Sequence, residues 1–137
     1  MAEGILRERA RQRGITLVTD SAGTSGNHIG EAPDPRAQAA MLRKGMNISD
    51  LRARQYRTSD LRDFDLVLTM DASNLRDVLN MNTDPSLARK ARLIMGLVPS
   101  HPEREVPDPY FGGDEGFDHV HGMLDAAINA LLVDVQR

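Results

Sequence analysis

Cysteine is absent from the 137 residues of this chain. Its absence excludes a disulfide framework, a thiolate zinc site and a thiol nucleophile within the chain. Apolar runs of membrane-spanning length are also lacking, and the N-terminus is charged within three residues, so we expect neither a membrane anchor nor a signal peptide. The expected location is the cytoplasm.

An excess of positive charge is missing too, since the formal net charge is -3. Nucleic-acid binding draws its affinity from the neutralisation of phosphates, so this balance argues against a nucleic-acid partner. A hydrophobic content of 40% with 27% charged residues describes an ordinary globular chain. The length predicts a single domain over residues 1–137, with enough apolar material for a real core.

Apolar periodicity and capping residues predict an alternation of helices and strands. The predicted helices cover residues 1–13, 34–44, 58–61, 71–80 and 117–135. The predicted strands cover residues 15–20, 64–70 and 91–95. This order is typical of an α/β fold of three layers, in which a parallel sheet has helices on both faces.

Ligands of such folds bind outside the carboxyl ends of the strands. Three polar segments are predicted at that end: the loop over residues 21–26, Asp71 and the loop that carries Asp108. A candidate site is therefore expected where they meet.

Asp108 lies between Pro107 and Pro109 and is followed by Tyr110 and Phe111. The prolines fix the backbone on both sides of the carboxylate and remove two amide donors, so no helix or central strand can pass through. A rigid acid beside aromatic faces suits the binding of a flat ring and the protonation of an atom that leaves it. A surface turn whose aromatic side chains cover the core is the alternative.

Five segments together resemble the low-molecular-weight protein tyrosine phosphatase family, in the family's order and over nearly the whole chain. They are Met1-Ala2-Glu3-Gly4, Asp20-Ser21-Ala22-Gly23-Thr24-Ser25, Asp34-Pro35-Arg36-Ala37, the stretch from Phe64-Asp65 through Met70-Asp71-Ala72-Ser73-Asn74-Leu75, and Asp108-Pro109-Tyr110.

The resemblance implies hydrolysis of phosphotyrosine in proteins, or of small aryl phosphates, without a cofactor or metal. A cysteine on a phosphate-binding loop attacks phosphorus in that family, and the aspartate that Asp108 matches protonates the leaving phenolate. Tyr110 and Phe111 match the aromatic wall, and Ser21 matches a serine that supports the phosphate loop.

Asn27 and His28 fall on the presumed rim of the pocket, as candidate substrate contacts. Asn27 stands where the family usually has an aromatic residue, and a plain surface role is the alternative for His28. Asp71 is expected to cap a helix and to support the site. His119 and His121 are two residues apart on a predicted helix, so they cannot chelate one ion, and we expect both to be solvated or interfacial.

The family's Cys-x-x-x-x-x-Arg-Ser-Pro motif and the strand that feeds it lie just before the position of Met1. We expect this chain to be a truncated member that lacks the first strand and is inactive by itself. An unfilled sheet invites self-association, so a homo-oligomer is a further expectation.

Three alternatives remain open. A non-catalytic binding or oligomerising protein on the same scaffold fits the missing nucleophile. An arsenate reductase of this fold needs cysteines. The stretch Phe64–Asp71 resembles the strand of a response-regulator receiver that ends in a phosphorylated aspartate. A receiver also needs an acidic pair after its first strand and a lysine after its fifth. No acidic pair follows Val18-Thr19, and Lys44 and Lys90 lie elsewhere.

Overall fold

The computed structural model describes residues 1–26, 28–109 and 113–137. Its helices are α1 (Ala2–Gln12), α2 (Pro35–Arg43), α3 (Thr58–Asp63), α4 (Ala72–Met81) and α5 (Asp114–Val135). Its strands are β1 (Val67–Thr69) and β2 (Ala91–Leu93), and two 3₁₀ segments cover Pro85–Lys90 and Ile94–Leu97.

The two strands pair in parallel, with Val67 opposite Ala91. Successive side chains of a strand point to opposite faces. Val67 accordingly packs against the cluster formed with α3 and α4, whereas Leu68 and Met70 pack against the cluster formed with α1 and α5. Helices therefore cover both faces of a parallel sheet, which confirms the predicted α/β class.

The larger of these clusters is built mainly by α1, α5 and the 3₁₀ segment Ile94–Leu97. Ile5 and Leu132 are fully buried in it. Gly4 lets α1 pack closely against Ile48, because a Cβ at position 4 would overlap the Ile48 side chain. In the part of the chain that the structure describes, no helix is long and apolar enough to cross a membrane.

Local capping sets the ends of the helices close to their predicted positions. The Asp34 carboxylate accepts a hydrogen bond of 2.8 Å from the Arg36 amide, and Pro35 occupies the first helical position of α2. Gly14 and Gly45 follow α1 and α2 with φ of 67° and 76°, in the left-handed region that glycine adopts without strain.

The strand predicted over residues 15–20 is wrong. This segment follows α1 without helical or strand structure, and among the described residues it has no strand partner. A cleft of about 320 Å³, lined by residues 18–24 on one side and 66–70 on the other, separates it from β1; we call this cleft the β1 slot. Val18 is 88% exposed. An apolar, β-branched sequence becomes a strand only beside another strand, and among the described residues β1 pairs with β2 and not with this segment.

The other two strands are shorter than predicted. Only Val67–Thr69 of the predicted 64–70 strand pairs with β2, and the chain turns into a 3₁₀ segment at Ile94 instead of continuing β2 to residue 95. Among the described residues β1 and β2 pair only with each other, and each strand ends where the other ends.

Candidate active site

A cleft of about 540 Å³ opens at the carboxyl end of β1. Ser21, Asp71 and Asp108 all line it, together with Met1 and Glu3 at the start of α1. We call it the site cleft. The three polar segments that the sequence assigned to one end of the sheet therefore do meet there.

The Asp108 loop is tied to the end of β1. The Val106 amide donates a hydrogen bond of 2.8 Å to the carbonyl of Met70, and the Val106 side chain is buried. Pro107 and Pro109 follow and line the cleft on either side of Asp108, whose side chain is exposed. Because proline fixes φ, the carboxylate is carried by a stiff segment that begins at a buried anchor.

Asp71 joins β1 to α4 and caps the helix, as predicted. Its carboxylate accepts a hydrogen bond of 2.8 Å from the Asn74 amide. Glu105, three residues before Asp108, accepts a second hydrogen bond of 2.7 Å from the Ala72 amide. Two carboxylates therefore satisfy the first turn of α4 and tie the Asp108 loop to that helix.

Ser21 is held by Glu3, a residue that the sequence did not single out as part of the site. The Ser21 hydroxyl donates a hydrogen bond of 2.6 Å to Glu3 Oε1. The motif Met1-Ala2-Glu3-Gly4 was the only sequence signal that pointed to Glu3. It could not predict the Ser21–Glu3 hydrogen bond, because the two residues are 18 positions apart in the sequence. Among the residues that the structure describes, no side chain caps α1, and burial lowers the pKa of the α-amino group of Met1.

Arg54 anchors the segment that carries Ser21. Its guanidinium contacts Asp20 at 3.0 Å and the buried Asp60 at 2.8 Å. Burial by itself would raise the pKa of Asp60. The hydrogen bonds from the Arg54 side chain and from the Arg57 amide outweigh it and hold that pKa below its ordinary value.

A second backbone contact reinforces this anchor. Gly23 and Gln55 form a parallel bridge, in which the Gly23 amide donates to the carbonyl of Arg54 and the Tyr56 amide donates to the carbonyl of Gly23. The loop after residue 20 therefore has a fixed position, although the extended segment before it has no paired neighbour among the described residues.

His28, a predicted substrate contact, is not brought into this cleft. His28 contacts Glu31 at 2.9 Å on the surface and lines neither the site cleft nor the β1 slot. Asn27, Tyr110 and Phe111 lie outside the described residues, so the predicted aromatic wall stays a prediction.

One of the two histidines of α5 is not solvated, contrary to the prediction. His121 is buried, its Nε2 has no hydrogen-bond partner among the described residues, and burial lowers its pKa. His119 is half exposed and contacts Glu103 at 2.6 Å. Arg36 contacts Asp34 at 3.2 Å and also lies over the ring of Phe117.

Comparison with known proteins assigns the whole chain to one class. The model of the family "Low molecular weight phosphotyrosine protein phosphatase" matches residues 1–137. A putative low molecular weight protein-tyrosine-phosphatase of Synechocystis is 38% identical over 138 residues, which cover 99% of this chain and 87% of that relative.

A second relative, the low molecular weight protein-tyrosine-phosphatase YfkJ of Bacillus subtilis, is 33% identical over 100% of this chain and 87% of its own length. Its crystal structure superposes with a TM-score of 0.89 at 31% identity, over 98% of this chain and 84% of that one. A protein tyrosine phosphatase structure from Entamoeba histolytica gives a TM-score of 0.92 at 27% identity, over 98% of this chain and 86% of that one. The chain belongs to the low molecular weight phosphotyrosine protein phosphatase family.

Proposed function

We propose that the site cleft serves the hydrolysis of phosphate monoesters of tyrosine or of other phenols, with Asp108 as proton donor to the leaving phenolate. One observation carries the proposal: Asp108, on its proline-flanked loop, lines the same cleft as Ser21 and the start of α1. The relatives of Synechocystis and Bacillus subtilis, named protein-tyrosine-phosphatases, supply the substrate class.

The chemistry explains why an acid belongs in this position. When the bond between phosphorus and the phenol oxygen breaks, the oxygen takes the electron pair and becomes a poor leaving group unless it receives a proton. A positioned carboxylic acid contributes roughly 10² to 10⁴ in rate to such a step. The same group, now a carboxylate, accepts a proton from the water that later attacks phosphorus.

The attacking group is the part that this chain does not supply. The family's nucleophile is a cysteine, and the chain has none. We therefore propose that the chain carries the acid and its supports, Ser21 and Asp71, and that it does not turn over an aryl phosphate by itself.

The first test measures hydrolysis of 4-nitrophenyl phosphate by the pure 137-residue chain. The expected rate equals that of the buffer alone. Hydrolysis well above this background, in fractions that follow the purified chain, would contradict the proposal that the site lacks its attacking group.

The second test assigns the role of Asp108. A segment that carries the motif Cys-x-x-x-x-x-Arg-Ser-Pro, which the family resemblance places before the first helix, is joined to Met1 and supplies a cysteine. Asp108→Asn is then expected to lower kcat/KM, which reports only the first bond cleavage, by roughly 10² to 10⁴ for phenyl phosphate, and by much less for 4-nitrophenyl phosphate, whose leaving group needs little help from an acid.

Asp65→Asn, at an exposed carboxylate that lines neither cleft, is the matched control and should leave both rates unchanged. Equal losses for the two substrates in Asp108→Asn would mean that the residue has another role.

The cytoplasmic location and self-association of the chain remain predictions.

A further inference from the structure

The Asp108 loop meets α5 at two points on one face of the helix. The imidazole Nε2 of His119 lies 2.6 Å from Oε1 of Glu103, five residues before Asp108. Pro109, directly after Asp108, lies against Gly116, where an added Cβ would be 3.7 Å from the Cβ of the proline. Residues three apart on a helix face the same way, so Gly116 and His119 hold the two ends of one short segment.

The same segment is held from the other side by β1 and α4. The Val106 amide donates a hydrogen bond of 2.8 Å to the carbonyl of Met70. Glu105 accepts one of 2.7 Å from the Ala72 amide. Asp108 is therefore carried between two supports, one on α5 and one where β1 joins α4. A loop fixed on one side only is free to turn about that attachment, so the contacts with α5 restrict where the carboxylate points.

The turn that presents Glu103 to α5 is closed by its own polar groups. The Glu103 amide donates a hydrogen bond of 3.0 Å to Nδ1 of His101. The Arg104 guanidinium donates to the carbonyls of Val98 and His101, at 2.7 and 2.8 Å. Glu103 therefore reaches α5 from a preformed turn, and little conformational entropy is lost when it contacts His119.

We infer that His119 is a positioning residue of the Asp108 loop, which it holds against α5 through Glu103. The inference rests on the proposed function for the role of Asp108 as proton donor, and it adds a residue that does not line the site cleft. An ionised carboxylate only accepts hydrogen bonds, so Nε2 of His119 is the donor in this contact. Loss of that donor would leave the contact of Pro109 alone to hold the loop on the α5 side.

The exposure of the pair determines where its effect is measurable. The side chains of His119 and Glu103 are 51% and 40% exposed. Ion pairs of this exposure contribute little to global stability. The effect is therefore expected in the local opening of the loop, which amide exchange reports, and not in the melting temperature.

The first test measures amide exchange in the 137-residue chain. His119→Ala should speed exchange of the Val106 and Ala72 amides about three- to fivefold, because the attachment of the loop protects both. Amides in the middle of α5 should exchange as in the parent chain. His119→Gln, whose side-chain amide can donate to Glu103, should keep most of the protection.

Two further variants separate the pair from other effects of substitution. Glu103→Ala should have the effect of His119→Ala, and the double variant should add nothing, because each single change already removes the contact. Asp118→Ala is the matched control. Asp118 precedes His119 on α5 and pairs at 3.3 Å with Arg43 of α2, with similar exposure, so its loss should leave the amide exchange of the loop unchanged.

The second test uses the version of the chain to which the cysteine motif has been joined, and compares two leaving groups. His119→Ala should lower kcat/KM for phenyl phosphate at least about threefold and leave that for 4-nitrophenyl phosphate almost unchanged, because only the first leaving group needs a well-placed acid. A general disturbance of the site would lower both alike. His119→Gln should recover most of the loss.

Unchanged exchange in His119→Ala, an equal increase in Asp118→Ala, or additive effects of Glu103→Ala and His119→Ala would overturn the inference. So would a difference between the two substrates that appears in Asp108→Asn and not in His119→Ala. Failure of the proposed function gives another result: neither Asp108→Asn nor His119→Ala then distinguishes the two substrates, whereas faster exchange in His119→Ala still supports the hold of His119 on the loop.

Discussion

The two sides of β1 differ in how they are held. Toward α1 and α5, apolar side chains pack into a continuous core in which Ile5 and Leu132 are fully buried. Toward the β1 slot, the segment 18–24 is held by the Arg54 ion pairs and the Gly23 bridge. The first side is stabilised by burial of apolar area and the second by a few polar contacts.

This difference separates two requirements of the fold. A helix satisfies its own backbone and needs a neighbour only for its apolar stripe, which α1 and α5 provide for each other. A strand needs neighbours for its backbone groups as well, so residues 15–20 form no strand and stay partly exposed. The position of Ser21 then depends on charged groups rather than on the sheet.

The largest expected effect belongs to the packed side. Leu132→Ala should lower the free energy of unfolding by about 2–5 kcal/mol, because it opens a cavity in a core that cannot close around it. Val133, the next residue, is 44% exposed. Val133→Ala should change the free energy of unfolding by less than about 0.5 kcal/mol. Urea denaturation of both variants checks the comparison, and equal midpoints would mean that this core is not packed.

Helix positions and caps were predictable because their signals are local. The Asp34-Pro35 cap, the Asp71 cap and Gly14 each act within one turn of the helix that they delimit, which is why the predicted helix bounds lie close to the observed ones. The failure of residues 15–20 to form a strand was not predictable from those residues, since the segment has the composition of a strand but pairs with no other strand in the described part of the chain.

The candidate site divides in the same way. Ser21, Asp71 and Asp108 could be assigned to one cleft from the topology alone, because carboxyl ends of parallel strands share an edge. Glu3 could not, since its hydrogen bond to Ser21 joins two segments whose packing no local pattern encodes. The burial of His121 was missed for the same reason, as the packing around α5 decides which histidine is covered.

The second prediction concerns the polar anchor on the slot side. Asp60→Asn leaves the Arg54 guanidinium without its buried partner and should cost roughly 3 kcal/mol at neutral pH. Asp63→Asn, at an exposed carboxylate on the same helix, should cost less than about 0.5 kcal/mol. Urea denaturation of both variants at pH 7 measures the difference.

The effect of acid has a definite sign. The pKa of Asp60 is lowered in the folded protein, so its stabilisation is complete above the ordinary carboxylate pKa and is lost as pH falls through the lowered value. The gap between Asp60→Asn and the parent chain should therefore narrow in acid below about pH 4. A gap that stays constant from pH 7 to pH 3 would show that Asp60 acts through shape rather than through charge.

The smallest expected effect comes from a buried histidine on the packed side of β1. His121 is buried, and desolvation lowers its pKa. Asp125 and Asp118 face it and oppose the shift, whereas Lys44 and Arg9 add to it. Below the ordinary histidine pKa of about 6.5, the unfolded chain binds a proton that the folded chain resists, so the folded state loses stability as pH falls.

His121→Leu removes this proton uptake and the unpaired Nε2 together. The variant should lose less of its melting temperature than the parent between pH 7.5 and pH 5.5, and at pH 7.5 it should be at least as stable. His119 is half exposed and lies two residues before His121 on α5, on a different side of the helix. His119→Gln should therefore keep the parent's sensitivity to acid. If His119→Gln removed the sensitivity and His121→Leu kept it, the pairing of His119 with Glu103 would be the group that responds to pH, and the packed side would contain no acid-sensitive histidine.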